Sequence, residues 1–511
     1  MNTFDTSHKN HFTFSTETLS IHILGGLTTF GLDRMRVTLK IHRNDDEFHA
    51  FRHNLDLYNS NAVEKFVRKL AEFLEVGTAT IRRALQELIA KLETYRLTIL
   101  DAEEEVEAEE YVLSKKERRS ASDFLKGNNL LEKTNKLIGQ SGVIGEHENR
   151  LLMYLIFTSR KMNNPLHCVS LGSSGVGKTH LQSKVAELIP EEERLSLTSL
   201  SSNSFYYFRK DELKHKLILI EDLDGADDAL YPLRELMSKK RITKSTVQKS
   251  IGGQGKAKQL VVEGPVCVAG CTTKEKIYED NANRSFLIYI DESEAQDERI
   301  MQYQRKMSAG KVSIEHEIKA QDLLQNVQRL LRPIKVINPY AEYLNLPKSV
   351  FKPRRTNVHY LQFIEVVTFY HQFQREVKYD FETGEEYIES TIEDIKYANA
   401  LLKHILLRKS DNLNGATRNY LERLKTYIKQ KGDSIFTNRE IRKELRYAES
   451  TLRRYQMTLQ QEGYIKRRPD IQSDSFVYEI IDVDEYKDLQ AHIEKALQAG
   501  LEQLAHAKTA D

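Results

Sequence analysis

Gly172-Ser-Ser-Gly-Val-Gly-Lys-Thr179 places glycines, a lysine and a hydroxyl at the spacing G-x-x-x-x-G-K-[ST]. Each residue type has a physical task there. Glycines let the backbone turn tightly and aim its N–H groups at one point, which suits a polyanion. Lys178 adds a cation for β- and γ-phosphates, and the Thr179 hydroxyl offers a hard oxygen to Mg²⁺. Gly172, Ser173, Ser174, Gly175, Val176, Gly177, Lys178, Thr179 and His180 are therefore the candidate contacts to a nucleoside triphosphate, taken as ATP with Mg²⁺.

Other positions suit the same chemistry. Lys216-Leu-Ile-Leu-Ile-Glu-Asp-Leu-Asp224 is an apolar run ending in acids. A strand buried on both faces has this composition, and its C-terminal end is where α/β sheets bind ligands. One acid there suits Mg²⁺, and its neighbour suits the water that attacks the γ-phosphate. Pro265-Val-Cys-Val-Ala-Gly-Cys-Thr-Thr273 is a second buried strand, ending in hydroxyls. Thr272, with Thr273 in reserve, is the candidate to bridge that water and the phosphate. Arg284, just before the strand-like residues 287–290, is placed to reach a neighbouring subunit's γ-phosphate. Arg354 or Arg355, opening a helix that includes Tyr360, is placed to touch the γ-phosphate from a helical lid.

The elements around these residues fit their task. Residues 167–171 read as a strand into the glycine loop and residues 179–189 as a helix out of it, so the helix N-terminus adds free donors and a positive dipole end. Residues 136–335 alternate strand and helix signals, as a parallel-sheet α/β domain does. Residues 1–112 read as a separate α+β module, with strands at 20–24 and 36–41 and helices at 61–74 and 79–96, the second capped by Thr78. The helix pair fits a helix-turn-helix or a plain helical hairpin. Residues 101–122 run from acidic to basic and read as an exposed, charge-patterned helix or a linker, with 113–135 expected as a charged linker between modules. Residues 336–412 are expected as a helical lid, 413–484 as a winged helix and 485–511 as a terminal helix.

Composition narrows the class. At 511 residues the chain has room for several domains, and 40% hydrophobic content supplies their cores. The net charge of +1 is uninformative, so the distribution of charge matters instead. Cys168, Cys267 and Cys271 show no metal spacing and read as small buried residues in a reducing cytoplasm. No apolar run reaches membrane-spanning length, and residues 1–20 carry no signal-peptide core, so a cytoplasmic protein without membrane contact is expected.

The order of these motifs resembles that of hexameric AAA+ ATPases, in the branch containing the minichromosome maintenance helicases. The matching pieces are residues 217–225, the insert between Leu236 and Val261, Val268-Ala-Gly-Cys-Thr272 and Arg284-Ser-Phe286. Residues 166–179, 220–230 and 21–41 are more closely similar to the self-loading helicases, and the helicase halves of primase-helicases, of bacterial mobile elements. The resemblance covers roughly residues 10–480 and implies an AAA+ P-loop core with a helical lid. It also implies that Glu221 takes the metal role and Asp222 the catalytic one, although the family usually has Asp-Glu where this chain has Glu-Asp. Residues 1–171 show no Cys-based zinc spacing and too little length for a polymerase domain, so any priming is expected from a separate primase or polymerase.

The insert points to what the ATP drives. Residues 236–262 hold Lys239, Lys240, Arg241, Lys244, Lys249, Lys256 and Lys258 and no acid. Alternation at 242–248, a glycine-rich turn at 251–255 and a return strand at 259–262 read as a basic β-hairpin, within 238–262. In the resembled helicases this hairpin points into the central channel. Lys244, Lys249, Lys256 and Lys258 are then candidates to track single-stranded DNA phosphates, Lys256 foremost. In the winged-helix segment, Arg453, Arg454 and Gln456 lie on the third helix and Lys466, Arg467 and Arg468 on the wing, where duplex DNA is contacted in such folds. The resulting expectation is an ATP-dependent, hexameric DNA helicase of a mobile genetic element. A non-translocating ATP switch that recruits a transposase, polymerase or defence effector, and a DNA-binding regulator, remain the alternatives.

Overall fold

The computed structural model describes residues 2–8, 10–27, 35–105, 111–198, 203–225, 230–249, 255–273, 283–433, 435–469, 476–481 and 485–510. The chain divides into two compact units, residues 1–112 with 246–258 and residues 113–245 with 259–511.

In the first unit, five antiparallel strands run in sequential order: β1 (Thr3–His8), β2 (His11–Ser15), β3 (Leu19–Leu24), β4 (Arg36–Arg43) and β5 (Asp46–Asp56). Alternate side chains, among them Phe12, Phe14, Ile21, Ile23, Leu39 and Ile41, turn to one face and are buried there. Helices α1 (Ser60–Leu74) and α2 (Thr78–Glu105) lay their own apolar residues into that core. The sequence reading anticipated two strands; β1 and β5 carry mostly polar side chains, and β2 is only five residues long. Thr78 is not the cap of α2, because the Gly77 carbonyl already accepts Thr80 N (3.0 Å) and Ile81 N (3.3 Å).

The expected linker at 113–135 is instead two packed helices, α3 (Lys115–Lys126) and α4 (Leu130–Gln140). A Ser114–Glu117 capping box starts α3, and Ala121, Leu125, Leu130 and Leu131 are buried in the second unit. Its polar face misled the reading: only every third or fourth residue is apolar. Next come α5 (His147–Thr158), β6 (Cys168–Leu171), α6 (Lys178–Ala186), β7 (Arg194–Leu197), β8 (Lys216–Ile220) and α7 (Leu230–Lys239). A hairpin, β9 (Arg241–Lys249) and β10 (Gly255–Glu263), precedes β11 (Val266–Thr272) and β12 (Phe286–Tyr289).

Five of these strands form an all-parallel sheet in the order β12-β6-β11-β8-β7. Its two faces bury different residues. Cys168, Leu217, Leu219, Cys267, Ala269, Phe286 and Ile288 join a large core with α5 and α6, while Val169, Leu171, Ile218, Ile220, Val266, Val268 and Leu287 join a second core with α7. Burial on both faces is why these strands read as continuous apolar runs. The three cysteines are free and buried. Burial pushes the Cys271 thiol up to about 11, which keeps it an inert packing group.

Helices Glu294–Ser308 and Ile314–Leu330 follow the sheet. Residues 336–412 are not purely helical as expected. Strands Lys335–Ile337, Lys378–Tyr379 and Glu386–Glu389 pair into a small sheet beside helices Pro353–Tyr370 and Ile392–Lys409. Residues 413–481 form three helices, Gly415–Lys431, Asn438–Leu445 and Glu449–Gln461, with strands Ile435–Phe436, Ile465–Pro469 and Phe476–Ile480. The last strand is central in their antiparallel sheet. Thr437 caps the second helix through a capping box with Glu440, and Ala448 precedes the third. Helix Glu485–Ala510 packs on helix Ile392–Lys409, where Lys403 meets Glu494 at 2.6 Å. Among the described residues no helix is long and apolar enough to cross a membrane.

Candidate nucleotide site and nucleic-acid interface

The register of the parallel sheet decides which candidates meet. Leu171 pairs with Thr272 and with Tyr289, and Ile220 pairs with Gly270. The phosphate loop, Glu221, Thr272 and the residues after β12 therefore all leave the sheet at one edge. Gly175 (φ +84°) and Gly177 (φ +92°) hold left-handed conformations that disfavour any side chain, and Gly177 feeds straight into α6. The Lys178 ammonium lies inside the loop, donating to the carbonyls of Gly172 (2.9 Å) and Ser173 (2.5 Å). Ser173, Ser174, Thr179 and His180 are exposed around it, and Val176 is half-buried.

The Thr179 hydroxyl and the Glu221 carboxylate are both exposed at this edge. Hydroxyl and carboxylate oxygens are the donor set a hard dication takes, so the residues fit Mg²⁺ shared with phosphate and water. Among the described residues no group of three or more His, Cys, Asp or Glu side chains could hold a metal without such help. Asp222 accepts the Asp224 N–H at 2.8 Å. Asp224 was missed by the sequence reading, and it ties the second and third motifs together. One of its oxygens accepts the Thr272 hydroxyl (2.6 Å), and the other accepts the Thr273 hydroxyl (2.8 Å) and N–H (3.2 Å). Its signal was the third acid of Glu-Asp-Leu-Asp.

Glu292 was also missed. Its carboxylate accepts the Ser173 N–H at 2.9 Å and the Ser173 hydroxyl at 3.4 Å. The turn that delivers it is pinned: Asp291 N donates to Glu146 (2.8 Å), and Asn149 bonds both Glu146 (2.6 Å) and the Tyr289 carbonyl (2.9 Å). The signal was Asp291-Glu292 at a strand's C-terminal end, where the acids of β8 had been noticed.

The arginines lie elsewhere. Phe286 pairs with Cys168, so Arg284 precedes the opposite edge of the sheet, with about 13 Å of strand between it and the phosphate-loop edge. Arg284 Nε donates to Ser238 Oγ at 2.9 Å. Arg354 and Arg355 line the same cavity as Arg284, a space of about 560 Å³ that also meets Lys240, His167 and His359. The described residues lining it include no carboxylate. Helix Pro353–Tyr370 begins at this far edge, so Arg354 and Arg355 stand away from their own chain's phosphate loop. Behind the cavity the Lys409 ammonium donates to the Ser285 carbonyl at 3.3 Å, and burial lowers its pKa to about 8. Burial also lowers His359 to about 3, helped by Lys409, His167 and Arg355.

The basic hairpin divides its cations. Lys239 pairs with Glu235 (2.5 Å) and Lys240 reaches Asn164 (2.6 Å), so neither is available to the hairpin's faces. Lys244 donates to Asn203 at 2.6 Å and lies over the Tyr206 ring at 5.3 Å. Lys249, Lys256 and Lys258 sit on β9 and β10 with side chains outside the described residues. In the C-terminal unit, Arg453, Arg454, Lys466 and Arg467 are exposed. Arg467 stacks on Phe476 and Arg468 pairs with Glu479. Gln456 faces inward instead, donating to the Tyr420 hydroxyl at 3.4 Å, so it cannot present itself to DNA.

Comparison with known proteins bears on the core. Residues 114–333 match a family model described as the MTBMA_p00010 P-loop domain. The chain is similar to the uncharacterized protein MTBMA_p00010 of Methanothermobacter marburgensis, 26% identical over 324 residues, which is 60% of this chain and 39% of that protein. The match thus spans about two fifths of that relative's length. A putative ATPase from Cytophaga hutchinsonii is 14% identical with a TM-score of 0.35, covering 62% of this chain and 97% of that one. A full-length MCM homolog from Methanopyrus kandleri is 13% identical with a TM-score of 0.38, covering 58% and 62%. The parallel sheet and the glycine loop are consistent with the P-loop domain that residues 114–333 match, and that match implies nucleotide binding.

Proposed function

We propose that the chain is an ATP-dependent DNA helicase that acts as a hexameric ring in the replication of a mobile genetic element. The observation that carries the reading is the placement of two half-sites at opposite edges of one sheet: the Lys178 cradle at one, Arg284 and Arg355 at the other. A cation cluster that cannot reach its own chain's triphosphate suits head-to-tail assembly, in which each copy serves its neighbour. The loop N–H groups and Lys178 hold the β- and γ-phosphates. Thr179 and Glu221 are the residues to hold Mg²⁺, which would neutralise phosphate charge. Asp222 orients the attacking water, and Asp224 fixes Thr272 beside it. Arg284 and Arg355 of the adjacent copy stabilise the charge that develops on transfer.

The basic hairpin, whose one acid, Glu263, ends β10, lies in the chain between the second and third motifs and runs into β11 of the parallel sheet. Its lysines give a sequence-independent grip on one DNA strand. Residues 413–481 have the helix and strand order of a winged helix, and Arg453, Arg454, Lys466 and Arg467 are its candidate duplex contacts. The test is a forked duplex with ATP. Hydrolysis stimulated by single strands together with unwinding supports the motor. Hydrolysis with no unwinding sinks it and favours the recruiting switch.

A further inference from the structure

We propose that Tyr207 is a stacking platform for the bases of single-stranded nucleic acid, set beside the phosphate-tracking lysine Lys244. The inference rests on the motor reading above and adds a recognition chemistry that the hairpin lysines lack. Phe205-Tyr-Tyr-Phe208 is a run of four aromatic residues, and the fold sorts them by their polar atoms. Phe205 is fully buried in the core beside α7, and Phe208 packs against that core from its rim. Their ring centroids are 6.2 Å apart. The two phenylalanines anchor a short turn in which Tyr206 N donates to the Asn203 carbonyl at 3.1 Å. Tyr206 stays half-buried under the Lys244 ammonium, while Tyr207 is 75% exposed.

The platform is rigidly joined to the hairpin root. Ile242 of β9 and Val262 of β10 are buried in the same core as Phe205. Lys244 closes the connection from above, through Asn203 Oδ1 and the Tyr206 face. The carboxylates near the hairpin base are already matched: Glu263 lies 3.4 Å from Lys214 and 3.7 Å from Lys210, and Asp211 lies 2.6 Å from Lys214. An exposed flat ring, next in the chain to a ring that carries a fixed cation, suits a polyanion whose units alternate phosphate and aromatic base. Stacking accepts every base, because each has a π-face, so the platform serves a motor that must not read sequence. A protein ligand would use the ring without needing a base.

The experiment compares binding of the full chain, with a slowly hydrolysed ATP analogue, to a labelled oligo-dT and to an abasic phosphodiester of equal length. Tyr207→Ala is expected to weaken oligo-dT roughly tenfold and to leave the abasic strand unchanged. Tyr207→Phe is expected to keep the wild-type affinity for both. Lys244→Ala is expected to weaken both strands and flatten the salt dependence. Unchanged oligo-dT binding by Tyr207→Ala overturns the proposal, as does an equal loss on both strands. A wild-type chain that binds neither strand rejects the motor reading itself, and this inference with it.

Discussion

Replacing Lys409 with methionine is expected to make the protein more stable at neutral pH, although it deletes a hydrogen bond. Lys409 ends helix Ile392–Lys409 and is buried; its ammonium has the Ser285 carbonyl at 3.3 Å, with Arg355 and His359 near it. Its pKa is lowered from 10.5 to about 8, chiefly by burial and then by Arg355. A depressed lysine destabilises the fold where it must stay charged, and the penalty is relieved as pH rises from the folded value toward the unfolded one. The shift corresponds to about 3 kcal/mol at pH 7, falling to about 1.4 kcal/mol near pH 9.5. Methionine is one atom shorter than lysine, fills most of the same space and removes the charge, while the orphaned Ser285 carbonyl costs about 1 kcal/mol. The net gain is about 2 kcal/mol at pH 7 and close to zero at pH 9.5. Urea unfolding of both proteins, followed by tyrosine fluorescence at the two pH values, measures it. A variant less stable at pH 7, or an equal difference at both, would refute the reasoning.

Other outcomes follow from the nucleotide edge and its counterpart. Glu292→Gln is expected to tighten nucleotide binding roughly fivefold, because a neutral amide competes less well for Ser173 N–H than a carboxylate; an unchanged Kd for a fluorescent ATP analogue excludes the competition. Thr272→Val and Asp224→Asn are each expected to slow hydrolysis by about a hundredfold, with the double variant no slower than the worse single one. Multiplying losses in that cycle would show that the two residues act separately. Arg284→Ala is expected to reduce hydrolysis about a thousandfold while leaving nucleotide affinity intact. A matching loss of affinity would place the arginine in its own chain's site.

Legibility followed burial. The phosphate loop and the strands ending at Ile220 and Thr272 were readable because a strand buried on both faces must be apolar throughout and then stop abruptly at its ligands. Asp224 and Glu292 were in plain view but unassigned, since sequence spacing cannot say that a carboxylate folds back onto a neighbouring strand's hydroxyl or onto Ser173 N–H. Arg354 and Arg355 were recognised as chemistry, but the sequence could not say at which edge of the sheet they stand, because the edge at which helix Pro353–Tyr370 begins depends on the path of the intervening chain. The strands at 335–337 and 386–389 were lost for a simpler reason: they are short, and Lys335, Glu386 and Glu389 leave Ile388 as their one fully buried residue. Gln456 shows the reverse error, a polar residue on a helix that tertiary packing turns inward.

On the proposed head-to-tail assembly, the opposition of Lys178 and Arg284 across one sheet has a genetic consequence. Two defective chains, one lacking Lys178 and one lacking Arg284, are broken in different places, and neither forms a working junction with its own kind. Mixed together, a chain with an intact cradle can sit against a chain with an intact arginine, and that junction is whole. Random mixing in equal amounts then restores about a quarter of the junctions, by the statistics of a head-to-tail contact. Activity regained from two dead preparations would thus count junctions directly, and would do so whether the assembled machine unwinds its track or only grips it.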